Sequence, residues 1–172
     1  FLQSLNGQAG LGAQALKLVI FTAARSREVL EATWDEIDLD NKVWTIPAER
    51  IKPSKEPRIP LTAPATAIIK DLKWGRDKLK EEEQSSYLFP GPKGKTPSSN
   101  MIMLALLKRM GRTDITVHGF RSSFRDWAAE QTNFPREVAE AALAHAIQSR
   151  VEAAYRRSDL FEKRRLLMES WA

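Results

Sequence analysis

The stretch that decides the fold is Trp34-Asp35-Glu36-Ile37-Asp38-Leu39-Asp40-Asn41-Lys42-Val43-Trp44-Thr45-Ile46. Ile37 and Leu39, then Val43, Trp44 and Ile46, alternate with polar residues around Asp40-Asn41, which reads as a hairpin turn between two half-buried strands. A third extended piece, Arg58-Ile59-Pro60-Leu61, completes a small antiparallel sheet. Outward from this meander, the apolar spacing changes to that of helices. Upstream, residues 9–24 read as a well-buried helix, with Leu11, Ala15, Leu18, Val19 and Phe21 covering much of its circumference. A short second helix is expected over 26–33, opened by Ser26 as its N-cap.

Downstream, Ala67, Ile68, Ile69, Leu72 and Leu79 give an apolar face to a helix over 64–80. The mixed-charge run 76–83, ending in Glu81, Glu82 and Glu83, is a solvated helix end. Pro90, Gly91, Pro92, Gly94 and Pro97 make 90–98 a loop. Further helices are expected at 98–111, 119–131, 136–144, 149–156 and 159–171. Gly111, the Asn133-Phe134-Pro135 turn and Ser158-Asp159 punctuate them. The predicted fold is therefore mainly α with a small three-stranded antiparallel β-meander.

At 172 residues and 42% hydrophobic content, the chain is sized for one domain with one core. No apolar run reaches the roughly 20 residues of a membrane span, and no secretory leader is visible. There is no cysteine, which excludes disulfides and thiolate metal sites. Lysine and arginine exceed acids by 27 to 22, and the pI near 9.6 favours a polyanionic partner. Five of the basic residues, Lys108, Arg109, Arg112, Arg121 and Arg125, cluster in 101–125 against a single acid, Asp114. Because the first residues already belong to a helical domain, the chain is expected to be the C-terminal part of something longer.

Five local signals could carry chemistry, and each has an ordinary reading. Arg25 and Glu28 lie three apart at a helix start, so the carboxylate can orient the guanidinium, or the two form a surface ion pair. In Val117-His118-Gly119-Phe120-Arg121, one helical turn brings an imidazole and a guanidinium to the same side, beside free amides at the helix start. The bland version is a capping histidine with a solvated arginine. Lys52 lies between the two later strands, where lysines are usually just solvated. His145, in an apolar helical stretch, would by itself be a core residue. Tyr155 is one of only two tyrosines, with Tyr87 the other.

The whole set in chain order resembles the tyrosine recombinase (phage integrase) family across nearly the full chain. Thr22-Ala23-Ala24-Arg25-Ser26-Arg27-Glu28-Val29-Leu30 is similar to that family's first arginine box, and Trp34 to Asp40 to its following strand. Arg58-Ile59-Pro60-Leu61 resembles the end of its lysine hairpin. His118-Gly119-Phe120-Arg121 resembles the second box, and Leu143-Ala144-His145 through Ala154-Tyr155 the third. The tail, with Tyr155, Arg157, Asp159, Glu162, Arg164 and Arg165, is similar to prophage and genomic-island integrases. Ala144 stands where many members have glycine, and Ala23-Ala24 likewise replaces a common glycine.

The resemblance implies the fold of that family's catalytic domain, with its N-terminal DNA-binding domains outside this chain. It implies site-specific cleavage and rejoining of double-stranded DNA through a 3′-phosphotyrosyl bond at Tyr155. Arg25, Arg121 and His145 would bind the scissile phosphate, His118 would act as general base and Lys52 as general acid. Glu28 would hold Arg25 in place. Lys52 is preferred over its neighbour Lys55 because its distance to Pro60 matches the family's pattern. Lys55, Arg58, Lys108, Arg112 and Arg125 are candidates for contact with DNA.

Because the ester conserves the energy of the broken bond, neither ATP nor metal is needed, and no cofactor is expected. Gly94-Lys95-Thr96 mimics the end of a P-loop, but the first glycine would fall at Phe89. A tetramer on DNA attachment sites, accessory DNA-bending or directionality proteins, and a place on DNA in the bacterial cytoplasm are implied as well. The rival readings are a tyrosine-type topoisomerase, a DNA-binding or directionality factor that has lost catalysis, and a metal-dependent nuclease. The apolar stripe of Leu160, Phe161, Leu167, Met168 and Trp171 packs either onto its own domain or onto a neighbouring protomer.

Overall fold

Helix α2 (Leu11–Thr22) buries eight of its twelve residues, among them Leu16, Leu18, Val19 and Ile20, so it needs cover on nearly every side. That demand organises the architecture seen in a computed structural model, which describes residues 1–50, 56–144 and 159–172. Around α2 lie α1 (Leu2–Asn6), α3 (Ser26–Leu30), α4 (Ala63–Asp77), α5 (Met101–Arg109), α6 (Gly119–Gln131) and α8 (Phe161–Trp171). Helix α7 (Arg136–Ala142) packs on α6 and α8. The sheet has the order β1 (Ile37–Asp38), β2 (Val43–Thr45), β3 (Arg58–Pro60), all antiparallel, with Trp44 paired to Ile37 on one side and Ile59 on the other. Among the described residues no helix is long and apolar enough to cross a membrane.

The core has two parts. The larger surrounds α2 and includes Trp44, Ile46, Phe89 and Met103. The smaller joins α6, α7 and α8 through Phe124, Val138, Leu143, Leu167 and Met168. Trp171 packs against both parts. Its ring lies 5.4 Å edge-on from Phe124 and 5.0 Å from Trp127, and its Nε1 donates to the Ile20 carbonyl at 2.7 Å. Helix α8 therefore covers its own domain.

The expected mainly helical chain with a three-stranded meander is what the structure contains, with shifts at the edges. The expected helix at 26–33 stops at Leu30, and Arg25, not Ser26, occupies its N-cap. Helix α4 ends at Asp77, and Glu81–Glu83 form a separate 3₁₀ turn. Strand β1 is only two residues long, because Asp38 turns the chain. Its carboxylate accepts from the Asn41 amide at 2.8 Å and the Asn41 side chain at 2.7 Å, and Lys42 takes the left-handed conformation. The short helix α1, five residues long, adds to the expected elements. The expected helix at 149–156 lies outside the described residues.

Helices α2 and α5 approach closely because Gly12 lacks a side chain. A Cβ there would sit 2.6 Å from the Ile102 carbonyl oxygen, a backbone atom that cannot swing away. Gly12→Ala is therefore expected to lower stability by about 1–3 kcal/mol despite alanine's better helix propensity, from the cost of overpacking. A chemical-denaturation midpoint at or above the parent's would contradict this.

Candidate active site

Helix α3 is only five residues long, and its first turn is closed by a glutamate. The Glu28 carboxylate accepts from the Arg25 backbone amide at 2.7 Å and from Arg25 Nη1 at 2.6 Å. The Glu28 side chain is 10% exposed and the Arg25 side chain 45%, so a buried acid holds a cation that faces outward. The buried carboxylate, bonded to both the amide and the guanidinium of Arg25, distinguishes this pair from a loose surface contact.

Arg121, one turn into α6, is 5% exposed. It donates through Nη1 to the Ala23 carbonyl, at the end of α2, and through Nη2 to the Leu143 carbonyl at 2.7 Å, just past α7. One guanidinium thus ties three helices together, which a solvated arginine would not do. Its other three N–H groups have no hydrogen-bond partner among the described residues. Burial, and then the charge of Arg25, push the Arg121 guanidinium below its ordinary range, with Glu28 opposing. Two cations and one carboxylate leave a net positive charge here, suited to a phosphodiester.

Ala23 and Ala144 both take left-handed backbone, at φ 50° and 49°. That conformation strains any residue with a Cβ and explains the preference for glycine at such positions. Each turns its carbonyl toward an arginine. Ala23 receives Arg121, and Ala144 receives Arg25 Nη2 in a long contact of 3.4 Å. A small hollow beside them is lined by Ala24, Glu28, Ile59, Arg121, Leu143 and Arg164.

His118 occupies the N-cap of α6 and is exposed, and its side chain makes no capping bond. Thr116 takes that role, its hydroxyl accepting from the Gly119 amide at 3.0 Å. The imidazole is thus not used as a cap, one turn ahead of Arg121. Lys52, Lys55, His145 and Tyr155 lie outside the described residues. Among the described residues no cluster of His, Asp and Glu is arranged to hold a metal ion.

Three of the five cations expected to face DNA carry carboxylate partners. Arg112 forks onto Asp114 at 2.8 and 2.7 Å, which holds that exposed acid at about 2, and Arg125 lies 3.3 Å from Glu140. Arg58 donates to Asp159 through Nε at 3.0 Å and Nη2 at 2.8 Å, with its guanidinium 4.5 Å above the Phe161 ring. A phosphate would compete with these acids. Lys108 is exposed.

Two arrangements were not visible in the sequence. Buried Arg164, on α8, donates to the Arg58 carbonyl at 2.6 Å, the Asp159 carbonyl at 2.8 Å and the Asp159 carboxylate at 3.2 Å. This fastens α8 to β3. Partial burial by itself would raise the Asp159 carboxyl, but the Arg58 hydrogen bond and the charges of Arg164 and Arg58 together bring it below its ordinary range. A lowered carboxyl stabilises the fold above its unfolded titration and loses that contribution as pH falls through the folded one. Asp159→Asn should therefore lower the unfolding midpoint near pH 6, and the difference should shrink towards about pH 3. A difference independent of pH would rule this out. The second arrangement is a buried acid, Glu36, which accepts from Trp44 Nε1 at 2.8 Å, Thr33 Oγ1 at 3.1 Å and Arg50 Nη1.

Comparison with known proteins gives a consistent picture. Residues 8–160 match the model of the phage integrase family. The chain is 39% identical over 158 residues to prophage integrase IntA of Escherichia coli (strain K12), covering 89% of this chain and 36% of that protein. It is 32% identical over 176 residues to the integrase of Enterobacteria phage P4, covering 92% of this chain and 38% of that one. The chain thus spans little more than a third of the relatives it matches. Among solved structures, the integrase of mycobacterium phage Brujita superposes with a TM-score of 0.70 at 18% identity, over 99% of this chain and 55% of that one. The Tn1549 transposon integrase, solved in complex with circular intermediate DNA, gives 0.64 at 16% identity, over 98% of this chain and 61% of that one.

Proposed function

The chain belongs to the phage integrase family, and from that premise we propose that it is the catalytic portion of a tyrosine site-specific recombinase. It cuts and rejoins double-stranded DNA at attachment sites, integrating or excising a mobile element. The observation that carries this reading is that Arg25 is held by the buried Glu28 carboxylate, and that this carboxylate and the buried Arg121, 96 positions beyond Arg25 in the chain, line one hollow.

Attack on a phosphodiester builds charge on the non-bridging oxygens, and fixed cations lower that barrier. Arg25 is held by Glu28 and Arg121 by two carbonyls, so neither guanidinium must be reoriented when the charge develops. Tyr155 is the nucleophile, and its phenol, ordinarily titrating near pH 10, needs help losing its proton. His118, exposed beside Arg121, is the candidate base, with Lys52 protonating the departing 5′ oxygen and His145 adding a donor to the phosphate. Cleavage breaks the bond from phosphorus to the 5′ oxygen and forms one to the tyrosine oxygen. The products are a 3′-phosphotyrosyl enzyme and a free 5′-hydroxyl. Strand exchange between two sites calls for an assembly of protomers on DNA, a tetramer in this reading, with accessory proteins setting direction. The DNA-binding domains of the whole protein lie N-terminal to these residues.

The test uses the full-length protein on a nicked duplex carrying a candidate attachment site, with chelator present. The nick releases the cleaved end, so a covalent protein–DNA adduct accumulates and survives denaturing electrophoresis. The reading requires that adduct. A duplex that is bound but never joined to protein would instead favour a DNA-binding factor without catalysis. Adduct formation accompanied by supercoil relaxation but no exchange between sites would favour a topoisomerase.

A further inference from the structure

Helix α3 is too short to hold its shape from its own hydrogen bonds, because one and a half turns barely repay nucleation. Its N-terminal end is closed by the Glu28 carboxylate on the Arg25 amide. Its C-terminal end leaves carbonyls without helical partners. One of them, that of Glu28 itself, receives Arg50 Nη2 at 2.7 Å. A cation at this end also complements the helix dipole. The same residue therefore offers its carboxylate to Arg25 and its carbonyl to Arg50.

Arg50 is held from its other side. Nη1 donates to Glu36, whose side chain is 1% exposed against 19% for Arg50, and Nε lies 3.9 Å from the Glu31 carboxylate. Glu36 is in turn fixed by Trp44 in β2 and by Thr33. Burying such a pair costs about as much in desolvation as it returns, so stability alone is weak grounds for it. Its geometry has a specific consequence. The planar fork spans a point fixed on the sheet and the carbonyl of the residue that aims Arg25, which a single ammonium could not do.

We propose that Arg50, locked by Glu36, is a positioning residue for Arg25: it caps α3 at the Glu28 carbonyl and so keeps the Glu28 carboxylate beneath the Arg25 guanidinium. This rests on the reading of Arg25 as a phosphate-binding cation of strand cleavage, and it adds two residues to the apparatus behind that cation. Arg50 and Glu36 touch neither DNA nor the reacting atoms. Their effect passes through one helical turn.

The test compares the full-length parent with Arg50→Lys and Glu36→Gln on the nicked duplex, measuring DNA affinity, unfolding midpoint and single-turnover adduct rate. Each protein is assayed on the ordinary phosphate and on a neutral methylphosphonate at the scissile position. Arg50→Lys should cut the adduct rate on phosphate roughly 10- to 100-fold with DNA affinity within about twofold, the scale expected of a misaimed cation. On methylphosphonate the gap should narrow to less than about threefold, because less negative charge develops for Arg25 to stabilise. A merely structural defect would slow both substrates equally.

Should Arg50→Lys fail to fold, Glu36→Gln carries the comparison. It is expected to shift in the same direction by a smaller factor, since the amide keeps an acceptor but not the charge. Rates on phosphate within about twofold of the parent, or equal losses on both substrates, would overturn the proposal. A parent that binds the duplex and forms no adduct overturns the recombinase reading itself. An active parent with indifferent variants overturns only the role of Arg50.

Discussion

Arg121→Ala is expected to abolish adduct formation and also to lower the stability of the domain by about 3 kcal/mol or more, as two buried charged hydrogen bonds are lost. The carbonyls of Ala23 and Leu143 would be left without this donor, and the ends of α2 and α7 would lose their shared tie to α6. Two effects work the other way: the burial cost of the guanidinium disappears together with the hydrogen bonds that offset it, and its repulsion with Arg25 is relieved. That relief is small, since the Arg25 side chain is 45% exposed and its charge is screened by solvent. The lost hydrogen bonds therefore dominate.

Arg121→Lys keeps the charge but cannot reach both carbonyls with a planar fork. It should fall between parent and alanine in stability, by about 1–2 kcal/mol, and still lose at least roughly 100-fold in adduct rate. Denaturant midpoints and single-turnover cleavage measure the two effects separately. An alanine variant within about 0.5 kcal/mol of the parent would show that the clamp is not stabilising.

Tyr155→Phe removes a single oxygen and, with it, the group proposed to form the phosphoester. Adduct on the nicked duplex should fall by about four orders of magnitude or to background, while DNA binding stays at the parent level. Tyr87→Phe, at the other tyrosine in this chain, is the control and should cleave like the parent. Adduct persisting in Tyr155→Phe would mean that another nucleophile operates. Loss of adduct in Tyr87→Phe alone would move the role to that residue.

Much of this protein is legible in its sequence, because the signals concerned are local. Apolar residues recur at helical spacing in α2 and α4, and alternate through β1 and β2, since a half-buried element exposes one face to water and one to the core. The three-residue spacing of Arg25 and Glu28, and of His118 and Arg121, puts each pair on one helical turn wherever the helix lies. The element edges were less legible. Whether Arg25 or Ser26 caps α3 depends on which backbone amide the Glu28 carboxylate reaches, and both choices fit the same string of residues.

What only the tertiary structure decided are contacts between distant parts of the chain. Arg121 finds its carbonyl partners 98 and 22 positions away, and Arg58 meets Asp159 across 101. Helix α8 covers its own domain because Trp171 reaches the Ile20 carbonyl, 151 positions back. Spacing places Arg121 on one turn with His118 but says nothing of its carbonyl partners, and nothing near Arg58 in the chain points to Asp159. A hydrogen bond between residues so far apart leaves no periodic trace, since it depends on where helices cross rather than on where either helix starts. The sequence thus determined which elements form and which charged groups share a helical turn, and the packing decided which of the described arginines are fixed in place.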